Sequence, residues 1–121
     1  MLLERHVSPD GRLTLFVERD ETGDVCIGFA GLRWHTHPDM LVGRHGDDEE
    51  AALQNFVTAI LADRLFIVAV EADGRIVEAW VDGSLSNARK AASQGGNTTV
   101  LVWSGRPIGD EATASTPPAG D

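Results

Sequence analysis

The chain has a single cysteine, Cys26, among 121 residues. No intrachain disulfide can form, and there is no cysteine pair to hold a zinc ribbon or do redox work. A lone Cys inside an apolar strand reads as a small buried hydrophobe, and no activating motif surrounds this one. Basic residues are scarce too. Ten Lys and Arg stand against nineteen Asp and Glu, a formal net charge of −9. A surface this acidic repels phosphate backbones and anionic headgroups, so neither nucleic acid nor a membrane surface is expected as a partner. Arg89-Lys90 is the only small basic cluster and is too small for a nucleic-acid site. No apolar run approaches membrane-spanning length; the longest, Leu65 to Val70, suits a buried strand. Glu4, Arg5 and His6 interrupt the apolar Met1-Leu2-Leu3, so no secretory signal is expected. Two catalytic patterns are missing as well. Gly95-Gly96 precedes a strand and not a helix, so it lacks the context of a phosphate loop, and Ser84 and Ser86 lack a Gly-x-Ser-x-Gly elbow. The expectation is a cytoplasmic domain whose acidic surface serves solubility or matches a basic protein partner.

Hydrophobic residues make up 42% of the chain, enough for one core without disulfide or metal staples. Residues 1–104 read as a single α+β domain. Leu2 to Val7 is a first strand, and Ser8-Pro9-Asp10-Gly11 is a turn in which Pro sets φ early and Gly allows positive φ late. Leu13, Leu15 and Val17 alternate with Thr14, Phe16 and Glu18 to give a second strand with one core face, and Val25 to Ala30 gives a third. Ala52, Leu53, Phe56, Val57, Ile60 and Leu61 form one apolar stripe, which predicts a helix over 48–63 with Asp47 or Asp48 as its N-cap. Glu49 and Glu50 then lie at the positive end of the helix dipole. Leu65 to Val70, Arg75 to Asp82 and Thr98 to Trp103 read as three further strands, the first two joined at Asp73-Gly74. Ile76 and Trp80 fall on one side of the fifth strand, with Val77, Ala79 and Val81 on the other. Trp80 and Trp103 are assigned to the core. Gly83 to Asn97 reads as a polar connection with one or two helical turns between Ser86 and Ser93. The expected order is βββ-α-βββ: one antiparallel sheet of about six strands with one long helix packed on one face. Residues 105–121 have no apolar periodicity and predict a disordered tail.

The chemistry is concentrated between Trp34 and Asp48. His35-Thr36-His37-Pro38 places two imidazoles two residues apart, on one side of an extended backbone. Asp39 follows at once, and His45, Asp47 and Asp48 soon after. If Val25, Ile27 and Phe29 face the core, an unbroken strand would carry His35 and His37 onto that same face. It would also run to about thirteen residues, long for a strand. The chain is therefore expected to bend near Gly31 and carry Trp34 to His37 along an edge or rim, with Pro38 ending the segment.

His35-Thr36-His37-Pro38, with Asp48 at the following Asp position, resembles the signature of the JAMM-type metallopeptidases, the MPN domains. In that family two His and an Asp bind zinc, and an upstream Glu acts on the metal-bound water. The resemblance implies a zinc-dependent hydrolase with His35, His37 and Asp48 as ligands. His45 stands where the family has Ser, and His45 or a nearby Glu would assist. A second resemblance rests on Trp34, His35, Thr36, His37 and Asp39 together with the helix through Phe56 and Ile60. In these the chain resembles small bacterial domains of the toxin-immunity type. That likeness implies a stand-alone domain that binds and blocks a toxin. The bare reading of the same residues is structural: both imidazoles hydrogen-bond main-chain groups or nearby carboxylates. The sequence leans away from an enzyme and toward a binding domain, with Trp34, His35, His37 and Asp39 as candidate binding residues. No cofactor is expected unless the zinc reading holds. Composition selects neither monomer nor homodimer.

Overall fold

The structure, a computed structural model, describes residues 1–108. Strands β1 (Leu2–Val7), β2 (Thr14–Arg19) and β3 (Val25–Phe29) form the expected meander, and a two-residue strand β4 (His35–Thr36) returns against β3. These four make one antiparallel sheet in the order β1-β2-β3-β4. Helix α1 (Glu49–Leu61) follows, then β5 (Phe66–Ala72), β6 (Arg75–Asp82), a second helix α2 (Leu85–Gln94) and β7 (Thr98–Leu101). The last three strands form their own sheet in the order β6-β5-β7.

The expected single sheet of six strands with one helix is therefore corrected. Two sheets, of four and three strands, and two helices make up the described residues. The outer edge of β3 is occupied by β4, so the second set of strands has no place beside it. At the opposite margin, β1 slips register between Leu2 and Glu4, and a bulged edge discourages further pairing. α1 lies in a core shared with both sheets: Leu15, Val17, Ile27 and Phe29 of the first sheet, Phe56, Val57 and Ile60 of α1, and Ile67 and Ala79 of the second belong to one apolar cluster.

Of the two cap candidates, Asp47 and Asp48, it is Asp48 that caps α1. Its side chain accepts a 2.8 Å hydrogen bond from the Ala51 N–H. The helix ends at Leu61, and Asp63, two residues on, is held at φ 63°, where short polar residues are tolerated. The Asp63 carboxylate then ties down the segment after β7. It accepts from the Ser104 N–H at 2.9 Å and the Ser104 hydroxyl at 2.7 Å, and pairs with Arg106 at 3.1 Å. The tail predicted from Gly105 thus begins against the body of the fold, and 109–121 lies outside the described residues.

The polar connection after Gly83 is a helix of ten residues, longer than the one or two turns expected. Ser84 caps it by accepting from the Asn87 N–H, and Ala88 is its one buried residue. Leu85, Ala88, Ala91 and Ala92 share its sheet-facing side, but three of the four are alanine, so the stripe carries little apolar bulk and the segment reads as polar. α2 packs on the second sheet. Ile67 and Val68 are both fully buried although neighbours on a strand point to opposite faces, so both faces of β5 are covered. The side assignment on β6 is also corrected. β5 and β6 shift register between Val70 and Glu71, leaving Val77 as the extra residue. Ile76 moves to the core side and Val77 is left 40% exposed. Trp80 is half-buried rather than central, while Trp103, in the turn beyond β7, is buried. No helix among the described residues is long and apolar enough to cross a membrane.

Candidate functional site

The chain bends where expected. Gly31 adopts φ 80°, in the left-handed region that suits glycine, and the Leu32 N–H closes the turn on the Phe29 carbonyl. The backbone then returns as β4, with Thr36 opposite Ile27 and His35 opposite Gly28. Cross-strand partners share a face. Ile27 is a core residue, so Thr36 points inward and is only 9% exposed. Trp34 has the same parity and packs inward on Phe29, with ring centroids 5.9 Å apart. His35 and His37 go to the other face. Alternation along four residues thus splits the sequence-derived site in two.

On the outer face, the His35 and His37 rings meet edge to face at 5.1 Å. Each uses Nδ1 on the main chain. His37 Nδ1–H donates to the Val25 carbonyl at 2.8 Å with the Asp24 carboxylate 3.4 Å away, and His35 Nδ1–H donates to the Arg33 carbonyl at 3.2 Å. The chain leaves through a short 3-10 turn, Pro38–Met40, whose Asp39 is exposed. Cys26 is half-buried nearby, and burial, then Glu18, Asp24 and Asp20, push its thiol pKa up. It is not an activated nucleophile.

The ligand set implied by the metallopeptidase resemblance is not assembled. Asp48 is engaged as the cap of α1, and His45 lies with the inward-facing residues, away from the His35–His37 pair. Among the described residues no group of three or more His, Cys, Asp or Glu is placed to hold a metal ion.

On the inner side, β4, the loop 41–46, α1 and the end of β6 enclose a cleft of about 480 Å³. Trp34, Phe56, Leu65 and Val81 give it apolar walls, and Thr36, Arg44 and His45 supply its polar groups. The His45 ring stands edge-on to Phe56 at 5.1 Å, and its carbonyl accepts from the Asn55 side-chain amide. The loop that carries His45 is held by the Gly43 N–H on the Gly46 carbonyl at 2.8 Å and by a bridge between Val42 and Gly46. Trp34 and His45 were legible as candidates. Thr36, Arg44, Leu65 and Val81 were not, since they converge from separate elements. The one available signal was the shared parity of Trp34 and Thr36.

Burial, and then the charge of Arg44, lower the His45 pKa from its ordinary 6.5. The folded state therefore favours neutral imidazole. The stability that this contributes is complete above the unfolded value, about 6.5, and is lost as pH falls through the lower folded value. A His45→Gln variant is expected to show a flatter fall in denaturation midpoint between about pH 7 and pH 5 than the parent. Identical slopes in the two proteins would contradict this.

Compared with known proteins, the chain matches no family model, no curated protein and no solved structure.

Proposed function

We propose that this chain is a non-catalytic binding domain that holds a basic protein segment on the loop from Asp39 to Glu50. An immunity-type inhibitor of a basic protein is the role that this chemistry fits. The observation that carries the reading is the make-up of the loop. Met40 is 70% exposed and Val42 40% exposed, leaving two large apolar side chains in water. Asp39, Asp47, Asp48, Glu49 and Glu50, all exposed, surround them in sequence, against one cation, Arg44. Apolar anchors within a charged rim are the usual anatomy of a protein interface, and the rim here selects for positive charge. The net charge of −9 adds long-range steering of the same sign.

The hydrogen bonds of His35 and His37 favour a structural role for that pair, fastening the short β4 and its approach to the sheet. The test therefore separates the two features. Lys/Arg-rich synthetic peptides bearing one Leu or Trp are titrated against the protein, beside charge-matched peptides lacking the apolar residue. The apolar basic peptides are expected to bind best. Their affinity should drop roughly tenfold or more from about 50 to about 500 mM salt. Met40→Asp with Val42→Asp should abolish binding in a folded protein, while His35→Ala with His37→Ala should lower stability and leave binding intact. Absence of binding at low salt, or binding indifferent to salt, would overturn the reading.

A further inference from the structure

We propose that the cleft walled by Trp34, Phe56, Leu65 and Val81 is a binding site for a small apolar carboxylate, an aryl or branched-alkyl acid in its anionic form. The cleft shares Met40, Leu41, Arg44 and His45 with the loop proposed to bind a protein segment, but the proposal rests on the lining of the cleft and not on that reading.

Three observations converge. The first is shape and lining. At about 480 Å³, with apolar walls and few polar groups, the cleft has the size and composition of small-molecule sites. The second is Thr36. Its side chain is nine-tenths buried and lines the cleft, yet its hydroxyl has only one side-chain partner, the Met40 sulfur at 4.0 Å. A thioether is a weak acceptor, and Met40 is itself largely in solvent. A buried hydroxyl so poorly satisfied favours a ligand that brings a polar atom to it.

The third is Arg44. Arg12 pairs with Glu71, Arg33 with Glu78 and Arg106 with Asp63. Arg44, exposed at the cleft wall, is one of seven Lys and Arg without an ion pair among the described residues, and it is the one that lines this cleft. An unpaired guanidinium beside an apolar cleft matches the planar, bidentate geometry of a carboxylate. One cation within a net charge of −9 suits a monoanion; a phosphate dianion would need more positive charge than this cleft supplies. His45, kept neutral by burial and by Arg44, adds a hydrogen-bonding nitrogen without adding charge.

The test uses 3-phenylpropionate and its uncharged amide as probes, read by NMR at the Trp34 indole N–H and the Thr36 amide. The acid is expected to shift both signals and to bind at least tenfold more tightly than the amide. Arg44→Gln should remove that preference and leave the weak binding of the amide, while Arg44→Lys should restore part of it. A blocking variant is also available. Gly83 lines the cleft, and a Cβ there meets only the Leu65 Cδ2, at 3.8 Å, so Gly83→Leu adds bulk at the cleft wall without a clash at the Cβ. It should abolish binding of both probes with the melting temperature preserved. Equal affinity for acid and amide, no shift at Trp34 or Thr36 at millimolar probe, or an undiminished preference in Arg44→Gln would each overturn the proposal.

Discussion

Phe29→Ala is expected to destabilise the fold by about 3–5 kcal/mol, the range for truncating a fully buried Phe. Phe29 is completely buried and is among the largest such side chains in the molecule. It ends β3, belongs to the core shared with α1, and carries the Trp34 ring at 5.9 Å. Its removal leaves a cavity under the cleft as well as losing transfer energy. A domain of this size is stable by only about 5–15 kcal/mol, so the loss is a large fraction of the whole. Chemical denaturation would show the midpoint falling with the slope nearly unchanged. Trp34 emission should shift to the red in the variant while it remains folded. Phe16→Ala supplies the contrast. Phe16 lies on the other face of the same sheet and is half-buried, so roughly 1 kcal/mol is expected there. Equal losses at the two positions would mean that the core is not where the fold places it.

Gly46→Ala is expected to be the most disruptive single-methyl change. A Cβ at Gly46 would stand 2.6 Å from the Ala52 nitrogen, 2.8 Å from the Ala51 carbonyl carbon and 2.9 Å from the Ala52 Cα. All three are backbone atoms in the first turns of α1, so no side chain can swing aside. The Ala52 N–H donates to the Asp48 carbonyl at 2.9 Å, so pushing this segment strains the helix start. Overpacking of this kind costs typically about 1–3 kcal/mol. The alternative is for the loop to lift away, carrying Arg44 and His45 out of the cleft. Both outcomes lower the thermal midpoint by several degrees. Gly96→Ala is the control, since a Cβ there meets nothing within 4 Å. A Gly46→Ala protein with the stability of the Gly96→Ala protein would refute the close approach.

Much of the local structure was written in the chain. The spans of β1 and β6 match their sequence readings, because Ser8-Pro9-Asp10-Gly11 stops the first and Asp73-Gly74 and Gly83 flank the second. α1 was legible from its stripe and from Asp48 as cap. α2 was legible only as one or two turns between Ser86 and Ser93, because its contact with the sheet runs through small residues around Ala88. The grouping of Trp34, His35, His37 and Asp39 was legible only as proximity along the chain. His35 and His37 could be paired from their spacing. That Trp34 and Thr36 belong to a different face followed from the same spacing once the strand's inward side was known.

The sequence by itself determined an acidic α+β domain, its main strands, its first helix and the bend that makes Trp34 to His37 an edge. Only the tertiary structure decided that the strands form two sheets, because pairing depends on which edges are already taken, and no local pattern records that. Tertiary structure also decided the fate of the histidine segment. The residues that convergence brings to Trp34, namely Arg44, His45, Phe56, Leu65 and Val81, lie up to 47 positions away, and their meeting depends on how α1 and β6 pack. Spacing along a strand fixes which side chains share a face; packing between elements fixes what that face meets.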